Sequence, residues 1–194
     1  MAIVVVGGQS RNVGKTSVVE GLIRGLPEMR WTAIKVEPCG ETGGLAVAVG
    51  EENDTASGKD SSRYLAAGAV RSLWVRTRTG DLTVAIPRIR KELEAAENAL
   101  IESNSILRFL RPDIYLSVID PVLGDLKESA RLYLDRADAV LVPEGIVVGP
   151  EGKDVVLRLA EGIALLTMRP PVYVTSEILE FVRVRIERAF RGAV

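Results

Sequence analysis

The sequence predicts an α/β fold of three layers, in which a mostly parallel sheet of about seven strands lies between two layers of helices. Short apolar runs rich in valine, leucine and isoleucine alternate along the chain with segments of helical periodicity. Hydrophobic residues make up 47% of the chain but aromatic residues only 5%, so aliphatic side chains must fill the core, as in sheets covered on both faces. The length of 194 residues suits one domain spanning residues 1–194.

The first third of the chain predicts two buried strands, one helix and a long loop. Residues 2–6 are an apolar, β-branched run that stops at two glycines, which predicts a strand. Apolar residues at helical spacing predict a helix over residues 15–25, and alternation of side-chain type predicts a strand over residues 31–37. Residues 39–59 are rich in glycine and polar residues and predict a long loop over the site, inside which 45–49 would form a short strand or hairpin arm.

The middle of the chain continues the alternation. A helix is expected over residues 60–67, with Asp60 or Ser61 as its N-cap. The apolar runs at 70–77 and 99–102 predict strands. Between them, residues 82–96 have helical periodicity, and Pro87 must lie in the first turn of that helix or kink it.

The last part of the chain repeats the same pattern of apolar runs and amphipathic segments, with prolines and charged residues at the boundaries. The expected elements are a short helix at 105–110, a strand at 114–120, a helix at 127–136, a strand at 139–143, a helix at 155–166, a strand at 171–175 and a helix at 178–190.

Composition excludes several classes of function. The formal net charge of -1 gives no basic excess, so no nucleic-acid partner is expected. The chain has no histidine and a single cysteine, Cys39, which argues against a zinc site, a disulfide and a cysteine nucleophile. No apolar stretch reaches membrane-spanning length and the N-terminus lacks a basic leader, so we expect a cytoplasmic protein with no membrane partner.

The most informative motif joins the first strand to the first helix. A glycine-rich loop between a buried strand and a helix, ending in Gly-Lys-Thr, is the context of a P-loop, which binds nucleoside triphosphates. The expected nucleotide-binding residues are Gly8, Gln9, Ser10, Arg11, Asn12, Val13, Gly14, Lys15, Thr16 and Ser17.

Each residue type in this loop has a physical task. Backbone N–H groups and the helix dipole favour phosphate oxygens, Lys15 supplies a cation to the β- and γ-phosphates, and Thr16 supplies a hydroxyl to Mg²⁺. Gln9 occupies the position where the usual spacing has glycine, and Gly8 lies one residue earlier. The alternative is a strand, turn and helix that contain Gly-Lys-Thr by chance.

The spacing of five residues between Gly8 and Gly14-Lys15-Thr16 resembles the P-loop of dethiobiotin synthetases. The run from Gly58 to Arg63, followed by Ala-Gly-Ala at 67–69, is similar to molybdopterin-guanine dinucleotide biosynthesis protein B. The resemblance covers about the first half of the chain. It implies a P-loop enzyme of cofactor biosynthesis, a homodimer, and Lys35 as a second cation near the γ-phosphate.

Three departures concern specificity. The molybdopterin family usually has histidines after the second strand, whereas this chain has Lys-Val-Glu-Pro at 35–38, and it has Glu102-Ser103 in place of Glu-Gly. The guanine-reading Asn-Lys-x-Asp pattern is absent, so the sequence leaves ATP and GTP as alternatives.

Several charged residues lie at predicted strand ends, where ligands bind in such sheets. Lys35 would act in catalysis or be a solvated lysine. Glu102 would hold Mg²⁺ through water or cap the next helix. Asp120 is the alternative to Glu102 as the metal's carboxylate, and it would otherwise cap a turn. Asp54 lies in the long loop, and the resemblance implies that it joins the Mg²⁺ shell; the alternative is an ordinary loop residue.

A polar segment opens the helix predicted after the long loop. Lys59, Asp60, Ser61 and Arg63 would orient an anionic second substrate, with the Arg63 guanidinium as a fork for phosphate or carboxylate. The alternative is helix capping and a solvated face. Glu144 ends a strand near the expected position of the base, although its side chain alone indicates little.

The sequence as a whole predicts Mg²⁺-dependent binding of ATP or GTP, with hydrolysis or phosphoryl transfer in which Lys15, Lys35 and Glu102 are catalytic. The alternative is a dimeric, nucleotide-dependent adaptor that acts on a partner protein. A degenerate P-loop domain is a third possibility, and the intact Gly14-Lys15-Thr16 argues against it.

Overall fold

The computed structural model describes residues 1–38, 47–77, 82–145 and 159–191. In these residues eight strands form one sheet, in the order β3-β4-β2-β5-β1-β6-β7-β8. All neighbouring strands are parallel except β3, which pairs antiparallel with β4. The strands are β1 Ile3–Gly8, β2 Trp31–Pro38, β3 Val47–Glu51, β4 Arg71–Thr77, β5 Asn98–Glu102, β6 Ile114–Val118, β7 Ala139–Pro143 and β8 Ala164–Met168.

Helices cover both faces of the sheet, which confirms the predicted three-layer α/β fold. Single 3₁₀ turns lie at Pro27–Met29, Ser105–Arg108, Pro121–Leu123 and Leu134–Arg136. The α-helices are α1 Lys15–Gly25, α2 Asp60–Ala66, α3 Leu82–Glu94, α4 Glu128–Arg131 and α5 Ser176–Arg191. None of the helices in the described ranges is long and apolar enough to cross a bilayer.

The core consists of two layers because the strands are buried on both sides. Val4 and Val6 of β1 pack with α1, α2 and α5, whereas Val5 packs with α3 on the opposite face. This alternation explains why the strands appear in the sequence as continuous apolar runs.

One predicted helix is wrong. Residues 155–158 lie outside the described part of the chain, and Ala164–Met168 forms strand β8 rather than the end of a helix. It pairs in parallel with β7, with Ala139 opposite Ala164 and Leu141 opposite Leu166. A short apolar run fits helix and strand periodicity equally, and here the open edge of β7 decides in favour of the strand.

The strand predicted over 171–175 is also wrong, because β8 is the last strand at this side of the sheet in the described residues. Pro170 and Pro171 cannot donate backbone hydrogen bonds to a ladder, and only an isolated bridge between Arg169 and Val172 forms. The helix predicted over 127–136 is interrupted, since α4 ends at Arg131 and a 3₁₀ turn follows. The arm expected at 45–49 is the edge strand β3, with residues 45–46 outside the described part.

The strand order determines where functional side chains can meet. β1 lies between β5 and β6, and β2 lies on the other side of β5. The carboxyl ends of these four parallel strands therefore lie side by side at one edge of the sheet, next to the amino end of α1.

Candidate functional site

The loop from Gly8 to Gly14 connects the end of β1 to the start of α1, as predicted. Gly14 has a φ of 103°, in the left-handed region that favours glycine. A Cβ at this position would lie 2.4 Å from a ring carbon of Tyr173. Asn12 also has a positive φ, of 63°, which asparagine tolerates better than most residues. The loop therefore depends on its residue types at both positions.

Asn104 holds the beginning of the loop, a role that the sequence analysis missed. Its Oδ1 accepts from the Gly8 N–H at 2.8 Å, and its Nδ2 donates to the Gly8 carbonyl at 2.9 Å. Gly7 lets the amide approach, because a Cβ on that residue would lie 2.1 Å from the Asn104 Oδ1. The buried Asn104 side chain thus satisfies both backbone groups of Gly8.

Gln9 has a structural role that explains its departure from the usual motif. The residue is buried, and its backbone N–H donates to the Val118 carbonyl at 2.9 Å. Its side chain accepts from the Asp120 N–H at 2.9 Å and donates to the Gly124 carbonyl. Its own carbonyl accepts from the Lys127 N–H at 3.1 Å. Gln9 therefore attaches the whole segment that follows β6 to the loop.

Lys15 lies over the loop that precedes it. Its Nζ donates to the Ser10 carbonyl at 2.6 Å. Burial lowers the pKa of Lys15 from 10.5 to about 8; the charge of Glu102 opposes this shift, and the cations Lys127 and Lys35 add to it. A phosphate placed at the loop would replace a neutral carbonyl by a negative partner and would favour the charged ammonium.

Thr16, Lys35 and Glu102, all predicted site residues, meet beside the loop. Glu102 is buried at the end of β5, directly opposite Lys35 in the parallel pairing with β2. Its Oε1 accepts from Lys35 Nζ at 2.6 Å and its Oε2 from the Thr16 hydroxyl at 2.9 Å. The buried Tyr64 hydroxyl of α2 also donates to Oε2. Tyr64 was not predicted from the sequence.

The protonation states in this cluster follow from its burial and its charges. Burial alone would lower the pKa of Lys35, but the charge of Glu102 and the hydrogen bonds that Lys35 donates to Asp60 and Glu102 outweigh burial and raise that pKa. Burial, reinforced by the Glu102 charge, raises the pKa of Tyr64 well above its usual value. Lys35 is therefore charged, and Tyr64 is a neutral hydrogen-bond donor.

The donor set beside Thr16 fits Mg²⁺, the metal that a P-loop implies. Magnesium prefers hard oxygen ligands and usually takes only one or two from the protein. The Thr16 hydroxyl uses its proton toward Glu102, which leaves oxygen lone pairs free for a cation. The roles of Thr16 and Glu102 toward the metal stay predictions.

The other two carboxylates suggested for the metal make different contacts. Asp120 caps the turn that begins at Pro121, accepting from the Val122 N–H at 3.1 Å. Asp54 accepts from the Ala56 N–H at 2.8 Å and is exposed. Within the described ranges, no hydrogen bond or ion pair connects either carboxylate to Glu102 or Thr16. Glu102 is the carboxylate that contacts Thr16, and the choice between Glu102 and Asp120 as the metal's partner stays a prediction.

The polar segment at the start of α2 is tied into the protein by ion pairs. Asp60 contacts Lys35 Nζ at 2.7 Å, so it joins the Glu102 cluster. The guanidinium of Arg63 is held by Glu20 of α1 at 2.6 Å and keeps 41% of its side chain exposed.

The remaining polar residues of this segment contact Glu52. Ser61 donates to its carboxylate at 3.0 Å, and Lys59 Nζ lies 4.0 Å from it. The second-substrate roles of Lys59, Asp60, Ser61 and Arg63 remain a prediction. Elsewhere, Glu144 pairs on the surface with Arg169, and Cys39 falls outside the described residues.

A separate cavity of about 430 Å³ lies at the opposite edge of the sheet, at the amino ends of β6 and β7. Arg111 and Arg136 line it together with Asp113 and Asp138. Both carboxylates accept hydrogen bonds from backbone N–H groups. The cavity therefore shares no side chain with the loop and its cluster.

Comparison with known proteins supports the fold assignment. No protein-family model and no curated protein matches the sequence. Among solved structures, HypB from Helicobacter pylori in complex with nickel matches with a TM-score of 0.52 and 14% identity, covering 98% of this chain and 87% of that chain. LpxK from Aquifex aeolicus in complex with ATP matches with a TM-score of 0.47 and 18% identity, and this chain spans 54% of its length. The match to HypB shows that the two chains share a fold.

Proposed function

We propose that this protein binds ATP or GTP with Mg²⁺ at the loop from Gly8 to Thr16, and that it hydrolyses the triphosphate or transfers its γ-phosphoryl group. The observation that carries the proposal is the meeting of Thr16, Lys35 and Glu102 at the amino end of α1, next to a glycine-rich loop after a buried strand. This arrangement would supply a phosphate cradle, a place for a hard cation and a second charge in one small volume.

The loop would bind the phosphates through backbone N–H groups and the amino end of α1, which is eleven residues long and carries a substantial dipole. Lys15 would leave the Ser10 carbonyl and pair with the β- and γ-phosphates. The contact with Asn104 keeps Gly8 in place during this exchange, because both its backbone groups stay bonded to a buried side chain.

Thr16 would contact the metal directly and Glu102 through a water molecule, with Thr16 still donating its proton to Glu102. When bound, Mg²⁺ would neutralise charge on the β- and γ-phosphate oxygens. Lys35 stays charged beside Glu102 and would stabilise the negative charge of the γ-phosphoryl group as it moves.

The start of α2 would help to orient a second, anionic substrate. Asp60 connects this helix to Lys35, and the exposed part of the Arg63 guanidinium offers donors to a carboxylate or phosphate. The resemblance to molybdopterin-guanine dinucleotide biosynthesis protein B and dethiobiotin synthetase suggests a substrate from cofactor biosynthesis.

A dimeric adaptor that handles a partner protein is the second candidate function. Val122 and Leu123 favour it, because they are 79% and 55% exposed in the turn that follows β6, close to the segment attached to Gln9. An exposed apolar pair beside a nucleotide site suits contact with another protein or a second copy of this chain. Turnover stimulated only by a partner protein would favour the adaptor, and stimulation by a small anionic substrate would favour the enzyme.

Phosphate release from Mg·ATP and Mg·GTP tests the proposed chemistry. We expect Glu102→Gln to raise the Mg²⁺ concentration for half-maximal turnover about 10–100-fold, because it weakens a partner of the metal shell. Glu94→Gln is the matched control, since Glu94 is exposed at the end of α3 and should leave turnover unchanged. Identical magnesium dependence in the wild-type protein and Glu102→Gln would contradict the assignment of Glu102.

A further inference from the structure

Gln9 holds the backbone of one cationic residue, Lys127, against the loop. The buried residue binds the segment after β6 at Val118, Asp120 and Gly124. The last contact of the series joins the Gln9 carbonyl to the Lys127 N–H at 3.1 Å. The backbone of Lys127 is therefore fixed directly against the loop, at the residue that precedes α4.

Charged groups of the loop and of the Glu102 cluster act on Lys127. Partial burial lowers the pKa of Lys127; Glu102 opposes this shift, and Arg11 and Lys35 add to it. Lys127 in turn lowers the pKa of Lys15, so the two ammonium groups repel each other across the loop. The side chain of Lys127 is exposed enough to move.

In this region the cationic side chains outnumber the carboxylates that face them. Arg11, Lys15, Lys35 and Lys127 lie around the loop, and Glu102 and Asp60 already share Lys35. In the described ranges, ion pairs within 4.0 Å engage Lys35 but neither Lys15 nor Lys127. Like charges held together destabilise the protein unless an anion joins them. A polyphosphate is the anion that would fit between these groups.

We propose that Lys127 binds the terminal phosphate of the triphosphate, and that Gln9 is the positioning residue that holds it there. The inference rests on the proposed function and extends it by one phosphate ligand. The terminal phosphate is favoured because Glu102 ends β5 and Lys127 follows β6, and these two strands flank β1 at the point where the loop begins. Gln9 thus occupies the position of the usual loop glycine, and its contacts attach Lys127 to the loop.

Calorimetric titration with a non-hydrolysable Mg·triphosphate and with the Mg·diphosphate tests the inference. We expect Lys127→Met to weaken triphosphate binding about 10–100-fold, the loss of one charge-assisted hydrogen bond, and to change diphosphate binding less than about threefold. Lys91→Met is the matched control, because Lys91 is exposed on α3 at the opposite face of the sheet. An equal loss for both nucleotides, or no loss for either, would overturn the role of Lys127.

A double-mutant cycle separates positioning by Gln9 from a purely structural role. If Gln9 acts through Lys127, Gln9→Ala lowers triphosphate affinity, and adding Lys127→Met produces little further loss. Additive losses, or a Gln9→Ala variant that weakens both nucleotides equally, would overturn the positioning role. If the wild-type protein and Lys91→Met bind neither nucleotide, the proposed function fails and this inference fails with it. If they bind and Lys127→Met binds both nucleotides as the wild-type protein does, the inference fails and the proposed function stands.

Discussion

Raising the pH should weaken triphosphate binding through Lys15. The pKa of Lys15 is about 8 in the protein without nucleotide, mainly because of burial. A triphosphate favours the charged ammonium, so the pKa of Lys15 rises on binding, and binding takes up protons near pH 8. The affinity is therefore fully present below that pH and is lost as the pH rises through it.

The size of the effect follows from the fraction of Lys15 that is protonated. At about pH 9 roughly one-tenth of the free protein carries the ammonium, so the apparent affinity should fall about tenfold between about pH 7 and pH 9. An unperturbed lysine, with a pKa near 10.4, would produce almost no change over the same range. The two cases differ by an amount that calorimetry resolves easily.

The assay is calorimetric titration of a non-hydrolysable Mg·triphosphate over this pH range, in buffers of different ionisation enthalpy. We expect uptake of about half a proton near pH 8. Lys15→Arg is the control, because a guanidinium stays charged throughout and should remove the pH dependence even if affinity falls. A flat affinity in the wild-type protein, or the same slope in Lys15→Arg, would refute the reasoning.

Two further substitutions test individual contacts. Asn104→Ala leaves the buried N–H and carbonyl of Gly8 without partners, so denaturant unfolding should show a loss of roughly 1–3 kcal/mol for each group; full stability in this variant would contradict the role of Asn104. Tyr64→Phe removes one donor from Glu102 within an apolar core, so the magnesium dependence of turnover should shift while the thermal midpoint changes little. Unchanged magnesium dependence would mean that Tyr64 only fills space.

Local sequence was sufficient to predict the loop and the groups at strand ends. The loop lies between a β-branched run and a periodic helix, so neighbouring residues define it. Lys35 and Glu102 were identified because parallel strands end at one edge of a sheet, and their pairing opposite each other follows from the adjacency of β2 and β5.

The residues that hold the loop and Glu102 in place could not be predicted from local sequence, because their roles depend on contacts between distant parts of the chain. Asn104 lies 96 residues from Gly8, and Tyr64 lies 38 residues from Glu102. In the sequence, Gln9 is only a departure from the usual motif. Its role was not predicted because its partners, Asp120 and Gly124, come from a loop more than one hundred residues away. A buried polar side chain with several partners is visible only in three dimensions.

The misassigned strand at the end of the sheet has a related cause. The apolar residues of 164–168 suit a helix and a strand equally, and the open edge of β7 determines the outcome. Pro171 was included in the strand predicted over 171–175 although a proline cannot donate to a ladder. Tertiary pairing thus decided between two local alternatives.

The most direct test of the central claim is a thermal-shift measurement with Mg²⁺ and ATP, GTP, ADP or GDP on the wild-type protein, Lys15→Ala and the control Lys91→Ala. A ligand that binds only the native state raises the melting temperature by mass action. We predict a shift with at least one triphosphate in the wild-type protein and in Lys91→Ala, and its loss in Lys15→Ala. No shift with any nucleotide, or an equal shift in Lys15→Ala, would contradict the assignment of this loop as a nucleotide-binding site.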